Sequence, residues 1–207
     1  MKKYLAPAFW GLSFIIFTIL VKVIDVQPVG AEGSLIGFAG LNTAVFSLLG
    51  TNHFCYLATQ LFGVLAILVA AVFAVLGFVQ LLKRKSLLKV DREILMVGIV
   101  YALVIILYLL FEKLAINYRP LILDEGLEAS YPSTHTMLIL TILGTAIQLA
   151  GKYIKNPKAA LAVKLVCILI MWLTVIFRLV SGVHWFTDII GGVLISLSLI
   201  SLYKSLS

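Results

Sequence analysis

Six long apolar runs account for most of this chain of 207 residues. Each run approaches the roughly 20 residues that an α-helix needs to cross the hydrocarbon core of a bilayer. The composition agrees with membrane spans, because only 12% of the residues are charged, against about 25% in soluble domains. We therefore expect an all-α integral membrane protein with six transmembrane helices in one bundle. The runs cover residues 4–21, 56–82, 94–111, 136–150, 159–177 and 189–203.

The basic residues are distributed unevenly between the two sides of the predicted bundle. If the N-terminus is cytoplasmic, only four of the sixteen Lys and Arg residues fall outside, namely Lys22, Lys113, Arg119 and Arg178. This asymmetry fits the positive-inside rule with both termini in the cytoplasm. A cleaved signal peptide is the alternative interpretation of the first run, which is however longer than the apolar part of most signal peptides. The net charge of +7 mostly reflects basic residues that would anchor the cytoplasmic side to anionic lipids, and it does not indicate nucleic-acid binding.

Ionisable residues collect at the outward ends of the later spans, within residues 112–188 of a single domain that we expect to cover residues 1–207. A lone arginine at such a boundary is more often an anchor to lipid headgroups than a functional group. Two arginines together with two histidines on one side instead favour a catalytic site. The cluster comprises Arg119-Pro120, Ser133-Thr134-His135, and Arg178, His184 and Asp188 in the spacing R-x5-H-x3-D.

Part of this cluster is suited to binding phosphate. Guanidinium groups bind phosphate oxygens through paired hydrogen bonds, so Arg119 and Arg178 are candidate phosphate ligands. Ser133 adds a neutral hydroxyl donor. Ser133 and Thr134 also lead into the fourth span, whose first N–H groups and positive dipole end would face the same anion.

The remaining residues supply groups for acid–base and nucleophilic catalysis. His184 and Asp188 are four residues apart, so on a helix they would share one face. A carboxylate there can orient the imidazole and leave its second nitrogen as a nucleophile. His135, in a separate segment, is then available as the general acid. The outward loops contain no Asp and Glu group with metal-ligand spacing, so we expect a metal-independent reaction without a cofactor.

The motifs and their order resemble those of the type 2 phosphatidic acid phosphatase superfamily, whose members are also called lipid phosphate phosphatases. Arg119-Pro120, Pro132-Ser133-Thr134-His135 and the Arg178, His184 and Asp188 trio match the three parts of its signature. By this resemblance, His184 attacks phosphorus to form a phosphohistidine and Asp188 orients it. His135 would protonate the leaving group and then activate water. The resemblance also implies a set of phosphate ligands, namely Arg119, Arg178, Ser133 and the backbone N–H of Thr134.

Three positions depart from the family's pattern. Thr134 replaces a glycine, which is compatible with the use of its backbone N–H at negative φ. Phe177 replaces the serine of the third motif and removes one hydroxyl. Lys113 has five residues between it and Arg119, where the family has six, so Glu112 occupies the family's lysine position. Lys113 is a further candidate phosphate ligand, with anchoring at the membrane interface as the alternative.

We predict a hydrolase of the cell membrane, with its active site facing outward, that acts on a lipid phosphate or a polyprenyl (di)phosphate. The candidate substrates belong to the phosphatidate, phosphatidylglycerophosphate and undecaprenyl diphosphate classes. The apolar spacing in residues 41–49 predicts a short interfacial helix that flanks a lipid entry or covers the bundle. One alternative is a phosphotransferase of the same fold with an acceptor other than water. A transporter is the weaker alternative, because its polar residues should lie near the membrane midplane.

Overall fold

The computed structural model describes residues 2–122 and 126–207, and the regular structure in these residues is helical. Six of the seven α-helices are long and apolar enough to cross a membrane, and they correspond to the six apolar runs. The prediction of an all-α membrane protein with six spans is therefore confirmed. The helices are α1 (Leu5–Val23), α2 (Ala39–Leu49), α3 (His53–Arg84), α4 (Arg92–Leu114), α5 (Thr134–Tyr153), α6 (Pro157–Val180) and α7 (Phe186–Leu206).

α5 and α7 begin earlier than the apolar runs, so polar residues form the start of each helix. Ser133 caps α5, since its Oγ accepts a hydrogen bond from the backbone N of Thr136 at 3.4 Å. Asp188 is the third residue of α7. Such caps satisfy N–H groups that have no partner within the helix. They also extend α5 and α7 far enough to include His135 and Asp188 in their first turns.

α5 is the central helix of the bundle. It packs against α3, α4, α6 and α7, while α1 packs along α7. The most apolar window of α5 is 67% buried, whereas those of α1, α3 and α6 are 17% buried. The outer helices therefore present apolar surface outward, which is stable in contact with lipid tails because the tails are equally apolar.

Two glycines allow α5 and α7 to approach closely. A Cβ on Gly192 of α7 would lie 2.8 Å from Cβ of Thr136 and 3.0 Å from the backbone O of Ser133. A Cβ on Gly144 of α5 would lie 2.4 Å from Cδ1 of Ile200 on α7. Membrane helices commonly use small residues at such contacts, since packing rather than the hydrophobic effect holds them together.

The segment between α1 and α3 folds over the end of the bundle at which α3, α5 and α7 begin, which we term the site end. Gln27 and Ile36 form an isolated antiparallel bridge within this segment. α2 packs beside α7, and the rings of Phe46 and Trp185 are 5.7 Å apart. The short helix predicted from the apolar spacing therefore exists, and it lies next to the start of α7.

Candidate active site

Arg178, in the last turn of α6, is a fully buried cation without a paired anion in the part of the chain that the structure describes. Its Nη1 donates to Oγ1 of Thr59 at 3.3 Å, and its Nη2 lies 2.9 Å from Nε2 of His184. The ring of Tyr56 stands 5.9 Å from its Cζ, while its Nε has no hydrogen-bond partner among the described residues. Burial of a charge is costly unless an opposite charge compensates it. An anion beside the guanidinium would compensate this charge.

His184 lies in the short turn between α6 and α7 and is buried. A guanidinium has only hydrogen-bond donors, so Nε2 of His184 must accept from Arg178. In the neutral ring the proton then sits on Nδ1. Burial first, and next the charge of Arg178, hold the pKa of His184 well below its ordinary value. His184 is consequently a neutral imidazole whose Nε2 lone pair points at the Arg178 guanidinium.

Asp188 contacts His184 from the start of α7, but the two residues do not share a helical face. That expectation was wrong, because α7 begins at Phe186 and His184 precedes it. Oδ2 of Asp188 accepts from the backbone N of Trp185 at 3.0 Å and lies 3.6 Å from Nδ1 of His184. That separation is longer than a hydrogen bond. The carboxylate therefore faces the protonated side of the His184 ring.

The start of α5 brings three more predicted residues to the cluster. Ser133 is fully buried, and its Oγ accepts from Oγ1 of Thr136 at 2.9 Å. The O–H proton of Ser133 remains for another acceptor. Thr134 is the first residue of α5, where a backbone N–H has no partner within the helix. Thr134 and His135 both line a cavity beside the bundle.

This cavity, of about 770 Å³, lies between α3, α4 and the start of α5. Its wall away from the site end is apolar and includes Val64, Ile67 and Val104. A second apolar cavity of about 350 Å³ lies further along α3 and α4. The larger cavity thus has a polar end and an apolar length, which suits an amphiphilic molecule. Its polar end is lined by Gln60, Tyr108, Glu112, Arg119, Glu128, Thr134 and His135.

Arg119 is held at the polar end of this cavity by an acidic neighbour. Its Nε lies 2.7 Å from Oε2 of Glu128, and its backbone N donates to the Glu128 carbonyl at 3.0 Å. After the charge of Arg178, the charge of Arg119 is the next contribution that lowers the pKa of His184. Arg119 is therefore within electrostatic reach of the buried histidine as well as on the cavity wall.

Lys113 is the one predicted phosphate ligand that the structure does not bring to this cluster. It lies in the last turn of α4 with its side chain exposed. The neighbouring Glu112 lines the cavity in its place. Consecutive residues on a helix differ by about 100° in direction, so Lys113 points away from Glu112 on α4. The seven-residue spacing from Glu112 to Arg119 plays no part in this placement, because α4 ends at Leu114 and Arg119 lies in the loop beyond it.

Three polar residues of the site were not predicted from the sequence. Thr59 and Tyr56 contact Arg178 from α3, and Asn117 donates from Nδ2 to Oδ1 of Asp188 at 3.2 Å. A single threonine or tyrosine in an apolar run carries no signal of its own. Asn117 stands two residues before Arg119, and this proximity to a motif is the only hint that the sequence offers.

Comparison with known proteins agrees with the fold. Residues 111–207 match the sequence model of a family described as the PAP2 superfamily. No curated protein sequence matches the chain. A solved structure with a similar fold is that of a transmembrane PAP2-type phosphatidylglycerolphosphate phosphatase from Bacillus subtilis. The two chains are 18% identical, with a TM-score of 0.64 over 97% of this chain and 94% of that one.

The matched residues contain the Arg119, His135 and His184 motifs, and the similarity in fold extends over nearly the whole chain. Residues 111–207 of this multi-pass membrane protein therefore match the PAP2 superfamily model, and the chain shares the fold of a transmembrane PAP2-type phosphatase.

Proposed function

We propose that the protein is a membrane phosphatase that hydrolyses a lipid phosphate through a phosphohistidine at His184, without a metal ion. The observation that carries this proposal is the pairing of the buried Arg178 with Nε2 of a neutral His184. An anion-binding cation and a nucleophilic lone pair then meet at one point. Phosphate oxygens would take the Arg178 donors, and this would release Nε2 for attack on phosphorus.

In the first step, Nε2 of His184 forms a bond to phosphorus as the bond from phosphorus to the lipid oxygen breaks. The ring becomes cationic, and Asp188 beside Nδ1 stabilises this charge. His135, protonated when the dianionic substrate is bound, donates its proton to the leaving oxygen. The products of this step are the lipid alcohol and a phosphohistidine.

In the second step, the now neutral His135 takes a proton from water. The hydroxide oxygen bonds to phosphorus as the N–P bond breaks, which restores His184 and releases inorganic phosphate. Arg119, Arg178, Ser133 and the Thr134 N–H would hold the phosphate oxygens in both steps. A phosphotransferase would share the first step and differ only in the acceptor of the second.

The cavity between α3 and α4 supports a lipid as the substrate. A phosphate at Arg119 and His135 would place the hydrocarbon chain along the apolar wall at Val64 and Ile67. The continuous spans, with the polar cluster at one end, favour this reaction over transport. The class includes phosphatidate, phosphatidylglycerophosphate and polyprenyl phosphates. The asymmetry of basic residues supports an outward-facing site with both termini in the cytoplasm.

Purified protein in detergent tests the proposal through phosphate release from a panel of these lipids, with and without EDTA. We expect turnover in EDTA and an acid-labile phosphoprotein in rapid-quench samples. The His184→Ala variant should lose both, whereas His53→Ala, a matched change of the exposed histidine at the start of α3, should keep them. Undiminished turnover by His184→Ala would refute the proposed nucleophile, and loss of turnover in EDTA would refute the metal-free mechanism.

A further inference from the structure

A network of two buried amides joins the segment before α2 to the carboxylate of Asp188. Asn117 and Asn42 are both fully buried. Oδ1 of Asn117 accepts from the backbone N of Gly37 at 3.2 Å, while its Nδ2 donates to Asp188 Oδ1 at 3.2 Å and to Thr187 Oγ1 at 3.4 Å. Asn117 therefore spans the distance between a loop backbone and the acidic residue beside His184.

Asn42 takes part in the same network without touching Asp188 in any described contact. Its Nδ2 donates to the Gly37 carbonyl at 2.8 Å and to Thr187 Oγ1 at 2.9 Å. Its Oδ1 accepts from the backbone N of Thr187 at 3.1 Å. The two amides thus share Gly37 and Thr187 as partners and differ in their contact with the carboxylate.

The loop end of this network is fixed in position. A Cβ on Gly37 would lie 1.6 Å from the backbone O of Val21 in α1, so the segment is pressed against that helix. The neighbouring Ile36 is fully buried. Asn117 is therefore anchored at its acceptor end and presents Nδ2 to Asp188 from a rigid base.

We infer that Asn117 is a positioning residue of the reaction, which holds the Asp188 carboxylate in the plane that directs Oδ2 to Nδ1 of His184. This inference rests on the proposed function. Asp188 is fully buried. Its Oδ1 accepts from Asn117 and its Oδ2 from the Trp185 N, and the side chain of Ser130 also lies close to the carboxylate. Without Asn117 the carboxylate can rotate about its Cβ–Cγ bond, and the cationic ring that forms during attack loses its aligned counter-charge.

Asn117→Ala and Asn42→Ala test this inference as a matched pair, because they remove equally buried amides from one network. The readouts are kcat and KM for dioctanoyl phosphatidate in mixed micelles, the rate of phosphoprotein formation, and the midpoint of thermal unfolding. We expect Asn117→Ala to lower kcat and the phosphorylation rate by about 10- to 100-fold at little-changed KM. Both variants should lower the unfolding midpoint by similar amounts, but Asn42→Ala should keep kcat within about twofold of wild type.

Two further variants separate positioning from a loss of folding. Asn117→Leu retains the approximate shape of the side chain but has no amide donor and no new charge, so it should lose as much kcat as Asn117→Ala. Asn117→Ala combined with Asp188→Ala should be no slower than Asp188→Ala alone, because both changes remove one function. Equal kcat losses in Asn117→Ala and Asn42→Ala would overturn the inference. So would a double variant that is slower than Asp188→Ala alone. A wild-type protein that releases no phosphate from any lipid would overturn the proposed function as well.

Discussion

Arg84 and Arg178 differ in burial and in the charge of their partners. Arg84 is partly exposed and pairs with Asp91 at 2.7 Å, and the hydrogen bond from Arg84, followed by that from Tyr153, lowers the pKa of Asp91 to about 2. Arg178 is fully buried, and its described polar partners are the neutral Thr59 and His184. A buried charge in such surroundings lowers stability. A bound phosphate would compensate this charge.

Replacement of Arg119 should lower activity far more than replacement of Lys113. Arg119→Ala should lower kcat/KM for phosphatidate hydrolysis by about 10²- to 10³-fold, because it removes a charged donor from the phosphate site. Lys113→Ala should change kcat/KM by no more than about twofold, because its side chain is exposed outside the cavity. Steady-state phosphate release by the purified variants measures both. Equal losses would mean that Lys113 reaches the phosphate during turnover.

The charged residues of the site were predictable from the sequence, whereas its uncharged residues were not. Charges are rare in membrane spans and therefore stand out, as Arg178, His184 and Asp188 do. Asn42 and Asn117 lie in loops or short helices where polar residues are common, and only the fold reveals that both are buried. Their role depends on contacts between residues up to 145 positions apart, which no local pattern contains.

Helix boundaries decide which site residues belong to the same helix. Apolar runs located all six spans, but they did not locate the start of α7, which sets the relation between His184 and Asp188. Trp185 caps this helix and its backbone N binds Asp188. The chain can therefore turn between the two residues and still bring Nδ1 of His184 within 3.6 Å of the carboxylate. Spacing alone predicted the pairing and gave the wrong geometry for it.

The contact between α5 and α7 should control activity only near the site end. In Gly192→Ala the new Cβ meets Cβ of Thr136 and the backbone O of Ser133, so the helices must separate beside the proposed phosphate ligands. We expect a lower unfolding midpoint, as overpacking costs about 1–3 kcal/mol, together with a loss of about tenfold or more in kcat/KM.

Gly144→Ala is the matched control on the same interface. Its Cβ would lie 2.4 Å from Cδ1 and 2.8 Å from Cγ1 of Ile200, and this contact lies several turns from Ser133. The unfolding midpoint should fall by a similar amount, because this Cβ also overpacks the interface, and kcat/KM should stay within about twofold of wild type. Thermal unfolding and phosphate release measure both variants. The expectation fails if Gly144→Ala loses as much activity as Gly192→Ala.

For the whole molecule, the site is assembled by the alternation of the spans. α4 and α6 end where α3, α5 and α7 begin, so residues from distant parts of the chain meet at one end of the bundle. The same alternation places the Lys- and Arg-rich segments 83–92 and 152–158 at the opposite end. One measurement of sidedness therefore fixes the orientation of the active site, the termini and the basic segments together.

Leu35 and Lys155 are exposed positions on opposite ends of the bundle, so single cysteines there report this orientation. The native Cys55 and Cys167 are buried, and the unmodified protein supplies the background labelling. In sealed right-side-out vesicles, a membrane-impermeant maleimide should label Leu35→Cys at once and Lys155→Cys only after permeabilisation, because the basic segments are retained in the cytoplasm. The reverse pattern would place the active site on the cytoplasmic face, and the lipid phosphates of the inner leaflet would then be the substrates to test.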